Sequence, residues 1–255
     1  MLLTIDIGNT SVTVGLFQGD NLVTTWRLAS EIRRMPDEYA VTLLSLLKQR
    51  CVEPGDIQKV AMCSVVPPLT PSFVDISQKY FNTMPLVVGA GIKTGVRIRM
   101  DNPREVGPDR IVHAAAAHHL YGGPVIVIDM GTATTFDTVS EEGDYIGGAI
   151  APGLAISADS LFTRTSMLPR VELVRPRQAI GTSTVTAIQS GIVFGYVGLV
   201  EGIVGRIQRE LGVKARVIAT GGYSGIIANE TPVIDSVNPD LILIGLKLVY
   251  YMNKA

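Results

Sequence analysis

Leu3, Ile5 and Ile7 form an apolar alternation that carries a carboxylate, Asp6, near its end and runs straight into Gly8, Asn9 and Thr10. Burying that carboxylate unpaired would be costly, and a plain hairpin does not require it. A tight turn with glycine lets backbone N–H groups approach phosphate oxygens, and Asn and Thr side chains add donors. Asp at the strand end does not bind phosphate itself, but it can hold a hydrated Mg²⁺ that bridges phosphate oxygens. The competing reading is an ordinary hairpin whose Asp accepts turn N–H bonds. The same element returns later: "VIVIDMGTATTFDTV" repeats the order of "LLTIDIGNTSVTVGLF", with Asp129 matching Asp6, Gly131 matching Gly8, and Thr132 in the place of Asn9. An internal duplication with two similar halves facing each other is the simplest explanation.

A second constellation is "DNPREVGPDR". Gly107 and Pro108 open a helix and put Asp109 and Arg110 in its first turn. There the helix dipole favours an ionised Asp109, able to accept a proton from a substrate hydroxyl. Arg110 could fork onto a carboxylate or a phosphate. Routine capping by Asp109 with Arg110 as its partner is the bland alternative. A third glycine signal, "VIATGGYSG", follows a strand pattern at Ala215–Ala219. The chain has no G-x-x-x-x-G-K-[ST] loop, and no G-x-G-x-x-G after a strand with an acidic residue twenty positions on. His113, His118 and His119 lack i, i+4 metal spacing and read as packing or surface residues. Asp137 and Asp159 read as solvated loop or helix positions.

These residues need a scaffold. The first thirty residues form a meander with strands at Leu2–Ile7, Val12–Phe17 and Leu22–Leu28. Tyr39, Leu43, Leu46 and Leu47 predict a helix over Asp37–Arg50. "KVAMCSVV" is a buried strand, and Pro67, Pro68 and Pro71 introduce another helix. "IVHAAAAHHLYG" is a short helix closed by Gly122–Gly123. A long helix runs from Thr184 to Leu211 with Gly191, Gly195, Gly198, Gly202 and Gly205 along one stripe. Each glycine costs about 1 kcal/mol against Ala in a helix interior, which implies an offsetting close helix contact. That contact lies either inside the domain, the favoured reading, or across a two-fold axis. In either case Gly198→Leu is expected to destabilise severely.

The formal charge is -1 over 255 residues, which argues against polyanion binding by bulk electrostatics and against attraction to a membrane surface. No run of eighteen apolar residues occurs, so no spanning helix is expected. The N-terminus enters a strand pattern directly, without a basic region and cleavage site. Cys51 and Cys63 are too few for a disulfide framework and are expected as buried thiols. The expectation is a soluble cytoplasmic protein that binds neither nucleic acid nor membrane.

Taken in order, "DIGNTSVTVGLF", "CSVVP", "DNPREVGPDR", "DMGTATTFD", "GGAIAPG" and "ATGGYSG" resemble the motif series of type III pantothenate kinases. The resemblance covers nearly the whole chain. It places the chain in the actin–hexokinase–sugar kinase superfamily and implies an α/β fold. Two duplicated actin-like (ribonuclease H-like) domains, 1–118 and 119–255, would have mixed sheets flanked by helices and a nucleotide cleft between them. It also implies ATP-dependent phosphorylation of the primary hydroxyl of pantothenate to 4'-phosphopantothenate, the first step toward coenzyme A. A homodimer, Mg²⁺, and a monovalent cation such as K⁺ or NH₄⁺ come with it.

Carried over by position, Asp6, Ile7, Gly8, Asn9, Thr10, Ser11, Val12 and Thr13 form the first phosphate loop, with Asp6 on Mg²⁺ through water. Thr132 contacts ATP, and Gly221 and Gly222 lie under the adenosine. Asp109 is the general base, with Gly107, Pro108 and Arg110 beside it at the pantothenate. Met100 and Thr184 also reach pantothenate, and Asp129 helps hold the monovalent cation. Met100 stands where many relatives have Tyr, and His113 where Asn is expected. Two other classes compete. One is a catalytically silent relative acting as a transcriptional accessory factor, disfavoured by the intact set Asp6, Asp109, Arg110 and Asp129. The other is an actin-like chaperone or polymer ATPase, disfavoured by the chain length and by "GPDR".

Overall fold

The computed structural model describes residues 1–254, which divide into two compact units. The first unit comprises Met1–Gly95, Arg104–Ala116 and the chain from Ile242 onward; the second comprises Val96–Pro103 and Ala117–Leu241.

The first unit holds β1 (Leu2–Ile7), β2 (Ser11–Gln18), β3 (Asn21–Ala29), β4 (Lys59–Ser64) and β5 (Leu86–Val87) in the order β3-β2-β1-β4-β5. The meander pairs antiparallel, and β4 joins β1 in parallel with Asp6 opposite Cys63. β1 is buried on both faces, which is why its apolar run is nearly continuous. Its Leu3, Ile5 and Ile7 meet Tyr39, Leu43 and Leu47 of α1 (Pro36–Gln49) and Phe73 and Ile76 of α2 (Thr70–Phe81). On the other face, Leu2, Ala61 and Cys63 share a core with Val112 of α3 (Pro108–Tyr121).

The second unit repeats the plan. Here β6 (Val125–Met130), β7 (Ala133–Val139), β8 (Tyr145–Pro152), β9 (Arg216–Thr220) and β10 (Ser236–Val237) lie in the order β8-β7-β6-β9-β10. A meander followed by a parallel strand on the far side of its first member is therefore built twice, as the repeated Asp-Gly element predicts. In this copy Asp129 lies opposite Thr220 as Asp6 lies opposite Cys63. Helices α4 (Leu154–Arg164), α5 (Thr184–Leu211) and α6 (Ser224–Ala228) complete the unit. The helix α5 starts on Ser183, whose Oγ accepts the Thr186 N–H at 3.2 Å, and stops at Gly212, where φ is +69°.

Helix α5 bears on two expectations and corrects the second. It is long and apolar enough to cross a membrane by length and composition, although its glycines interrupt any continuous apolar run. Its Val193, Tyr196, Val200 and Val204 pack on Ile126, Ile128 and Met130, so one face of the helix belongs to the core of the unit. The glycine stripe makes no close contact with another element among the described residues: a Cβ at Gly191, Gly195, Gly198 or Gly205 would meet nothing within 4 Å beyond its own helix, and one at Gly202 would meet only the Arg206 guanidinium of the same helix, at 3.1 Å. Its neighbours give no reason for Gly198→Leu to unfold the unit.

The close helix approach occurs elsewhere. Within the first unit, a Cβ on Gly245 of α7 (Leu241–Asn253) would stand 2.5 Å from the Val112 carbonyl and 3.2 Å from Ala116 of α3. The short side chains of the "AAAA" run make that approach possible. Accordingly, Gly245→Val should lose about 1–3 kcal/mol or more by overpacking. Gly198→Ala should be neutral or gain up to about 1 kcal/mol from helix propensity. Urea unfolding of both variants checks the contrast, and equal effects would refute it.

Two smaller corrections concern single residues. Cys51 is exposed, with φ +55° just past α1, so only Cys63 is a buried thiol. Asp137 is fully buried on β7 rather than solvated. Asp159 does lie on an exposed helix face, 3.2 Å from Arg170.

Candidate active site

Asp6 is half-buried at the end of β1. Because β4 runs parallel beside it in register, the Cys63 side chain emerges on the same face, and its thiol donates to Asp6 Oδ1 at 3.3 Å. Burial pushes the Cys63 thiol well up from its ordinary pKa, and the negative charges of Asp6 and Asp109 push it further. Asp6 and Asp109 thus both impose their charge on one neutral thiol inside the first unit.

The turn after Asp6 is internally braced. Gly8 N–H donates to the Ser11 carbonyl at 3.1 Å, Ser30 Oγ donates to the Gly8 carbonyl at 2.5 Å, and Ser30 N–H donates to Thr10 O at 3.1 Å. Asn9 and Thr10 form its exposed tip, with Ser11 and Thr13 half-buried behind. Ile7 and Val12 point into the core, so only their backbone can serve a ligand.

Asp109 sits in the first turn of α3, after Pro108. Its Oδ1 accepts the Arg110 N–H at 2.9 Å and lies against Gly107, where a Cβ would come within 2.4 Å of that oxygen. Gly107 is therefore the residue that leaves Asp109 room to hold its orientation. Of the three histidines, His113 is buried on the same helix, while His118 meets the Glu141 carbonyl at 3.1 Å and His119 is exposed.

The turn after Asp129 is enclosed by backbone. Gly131 N–H donates to Ala133 O at 3.1 Å, and Gly153 N–H to Thr132 O at 3.2 Å. Gly221, at φ +88°, rests on this loop: a Cβ there would stand 2.6 Å from Asp129 Oδ1 and 2.7 Å from the Met130 backbone. The Tyr196 hydroxyl of α5 hydrogen-bonds with Thr134 Oγ1 and lies 3.0 Å from the Pro152 carbonyl, bracing the hairpin from beneath. Gly222 is exposed next to Gly221. Thr184 opens α5 at the rim of an open cavity of about 860 Å³ in the second unit, also lined by Leu161, Leu168 and Ile188. Met100 lies beside β8, its Sδ 3.3 Å from where a Cβ on Gly147 would be.

Tyr196 and Gly245 were not singled out from sequence, and Cys63 was read only as a buried thiol. The strand motif "CSVVP" marks Cys63, but its role depends on a parallel register that a single sequence does not display.

A duplicated meander-plus-parallel-strand unit, with a carboxylate and a glycine turn at the end of each central strand, defines an α/β protein of the actin and sugar-kinase fold. Solved structures bear out the fold. A chain described as a Baf family transcriptional activator from Campylobacter jejuni superposes with TM-score 0.63 at 20% identity, covering 99% of this chain and 98% of that one. A polyphosphate/ATP-glucomannokinase from Arthrobacter sp. strain KM superposes with TM-score 0.52 at 13% identity, covering 98% of each.

Sequence similarity is closer and more specific. A family model described as type III pantothenate kinase matches residues 2–206. The type III pantothenate kinase of Dehalococcoides mccartyi strain CBDB1 is 59% identical over 100% of this chain and 97% of its own. That of Moorella thermoacetica is 51% identical over 99% of this chain and all of its own. The chain belongs to the type III pantothenate kinase family. It is a kinase that phosphorylates pantothenate with ATP as the donor, in coenzyme A biosynthesis.

Proposed function

We propose that the reaction is run by three aspartates in separate roles, assisted by Mg²⁺ and a monovalent cation. The observation that supports this reading is placement: Asp6 and Asp129 stand at matching ends of the two duplicated central strands, and Asp109 is held in the first turn of α3 by the Arg110 N–H. Asp6 would hold Mg²⁺ through water. Among the described residues no three His, Cys, Asp or Glu side chains gather as a metal cluster. One carboxylate, water and phosphate oxygens make the donor set that suits Mg²⁺. Bound there, the ion would neutralise phosphate charge as the phosphoryl group transfers.

Asp109 accepts the proton of the pantothenate primary hydroxyl, its orientation fixed by Arg110 N–H and by the space over Gly107. Arg110 forks onto the pantothenate carboxylate. Gly107, Pro108, Met100 and Thr184 belong to the pantothenate end. The turn from Asp6 to Thr13 and Thr132 receive the phosphates, and Gly221 and Gly222 the adenosine. Asp129 contributes oxygen donors to K⁺ or NH₄⁺. Its support is placement, at the strand end that duplicates Asp6. Self-association into a homodimer is proposed through the exposed glycine stripe of α5, because that stripe has no close partner in its own unit. The reading also keeps the protein in the cytoplasm, apart from nucleic acid and membrane.

The cation role has its own test. Asp129→Ala should lose the stimulation of turnover by K⁺ over Na⁺. A variant that keeps the wild-type K⁺ response removes Asp129 from the cation site.

A further inference from the structure

Val96–Pro103 belongs to the second unit, although the residues before and after it belong to the first. The segment is held there as an added strand on β8. Tyr145 N–H donates to Arg97 O and Arg99 N–H donates to Tyr145 O, both at 2.8 Å, with Ile98 bridged in parallel to Tyr145. The side chains reinforce this backbone clasp. Asp144 Oδ2 lies 2.5 Å from Arg99 Nε, and Asp144 Oδ1 is 3.9 Å from Arg97 Nε. The Asp144 side chain is only 10% exposed, whereas that of Arg99 is 57% exposed.

Beneath the clasp, Tyr145 is fully buried, and its hydroxyl donates to Asp137 Oδ1 at 2.8 Å; Thr135 Oγ1 donates to Asp137 Oδ2 at the same distance. Fully buried within the sheet, this carboxylate fixes Tyr145, and Tyr145 fixes the backbone of residues 97–99. Met100 follows directly. It lies over Gly147, whose φ of +122° and missing side chain leave room for the thioether. Two carboxylates, Asp144 on Arg99 and Asp137 on Tyr145, therefore set where Met100 stands.

We propose that Asp144, through Arg99, and Asp137, through Tyr145, are positioning residues for pantothenate: they dock the 97–100 strand on β8 and thereby fix Met100 against the substrate. This rests on the reading above that Met100 meets pantothenate. Loosening the clasp should weaken pantothenate binding and leave the nucleotide loops undisturbed.

The experiment is steady-state kinetics on Arg99→Ala, Asp144→Asn, Asp144→Glu and Met100→Ala, varying pantothenate and ATP separately. Arg99→Ala removes the pair from its exposed side, so the test survives if Asp144→Asn fails to fold. The expected result is a KM for pantothenate raised about fivefold by Arg99→Ala and by Asp144→Asn, the upper range for a partly buried pair. KM for ATP and kcat should stay within about twofold, since only substrate binding is touched. Asp144→Glu should restore much of the loss. If Met100→Ala raises KM for pantothenate but Arg99→Ala and Asp144→Asn do not, the positioning role is overturned and the Met100 assignment stands. If none of the three raises it, the Met100 assignment falls and the proposal with it. Equal rises in both KM values would make the clasp a general structural element and also overturn the proposal.

Discussion

Asp109→Asn should lower kcat by about 10²–10⁴-fold, the usual share of a positioned general base, while ATP binding stays close to wild type. Asn has the shape of Asp and keeps an oxygen to accept the Arg110 N–H at the 2.9 Å position. The helix start and the space over Gly107 are then undisturbed, so the substitution removes proton acceptance and little else. Phosphoryl transfer depends on positioning and charge neutralisation, and the attacking hydroxyl must still lose its proton. Titration calorimetry with a non-hydrolysable ATP analogue, alongside turnover, separates the two effects. Near-normal turnover would mean that Asp109 is not the base; lost nucleotide affinity would mean that it serves the ATP end instead.

The second large effect is expected at Gly221. Its φ of +88° is a conformation that side chains rarely adopt, and any Cβ would stand 2.6 Å from Asp129 Oδ1 with the Met130 backbone equally near. Backbone does not move aside as a flexible side chain can, so relief must come from displacing the turn after Asp129, the proposed second phosphate loop. Gly221→Ala should therefore cost about 1–3 kcal/mol of stability through strain at a positive φ, together with a loss of ATP affinity. Gly225→Ala is the control, since a Cβ there meets no atom within 4 Å. Urea unfolding and KM for ATP check both. A Gly221→Ala protein as stable and as active as the control would refute the account of that glycine.

Much of the scaffold was readable because its patterns are local. The meander shows as alternating apolar residues broken by turns. Helix α5 shows as a long 3.6-residue period whose expected span, Thr184–Leu211, is the span observed. The duplication was visible only in the short Asp-Gly element, yet it extends to the full order of both sheets. The return of the C-terminal helix to the first unit was not readable. "LILIGLKLVYYMN" is apolar nearly all round, so it announces burial without naming a partner. The glycines misled for a related reason. Five in a helical stripe suggest packing, whereas the tight contact in the first unit falls on the single Gly245 against α3.

The candidate site was legible in its residue types and local placement. Asp6, Asp109 and Asp129 stand out because a carboxylate at a strand end or a helix start asks for a reason. That Cys63 bears on both Asp6 and Asp109 depends on the β1–β4 register and the placement of α3, which are long-range facts. Asp137 looked like a solvated residue because a lone acid in a strand pattern usually is one. Its burial is tolerated only because Tyr145 and Thr135, brought in by the sheet, satisfy its oxygens.

The most direct measurement is ADP release by the wild-type protein with ATP and Mg²⁺, with and without pantothenate, in K⁺ and then in Na⁺ alone. The account predicts ADP release that depends on pantothenate and on K⁺ together. Equal rates in the two salts would contradict the cation assignment, and folded protein that releases no ADP with pantothenate in either salt would contradict the assignment of the three aspartates as a working site.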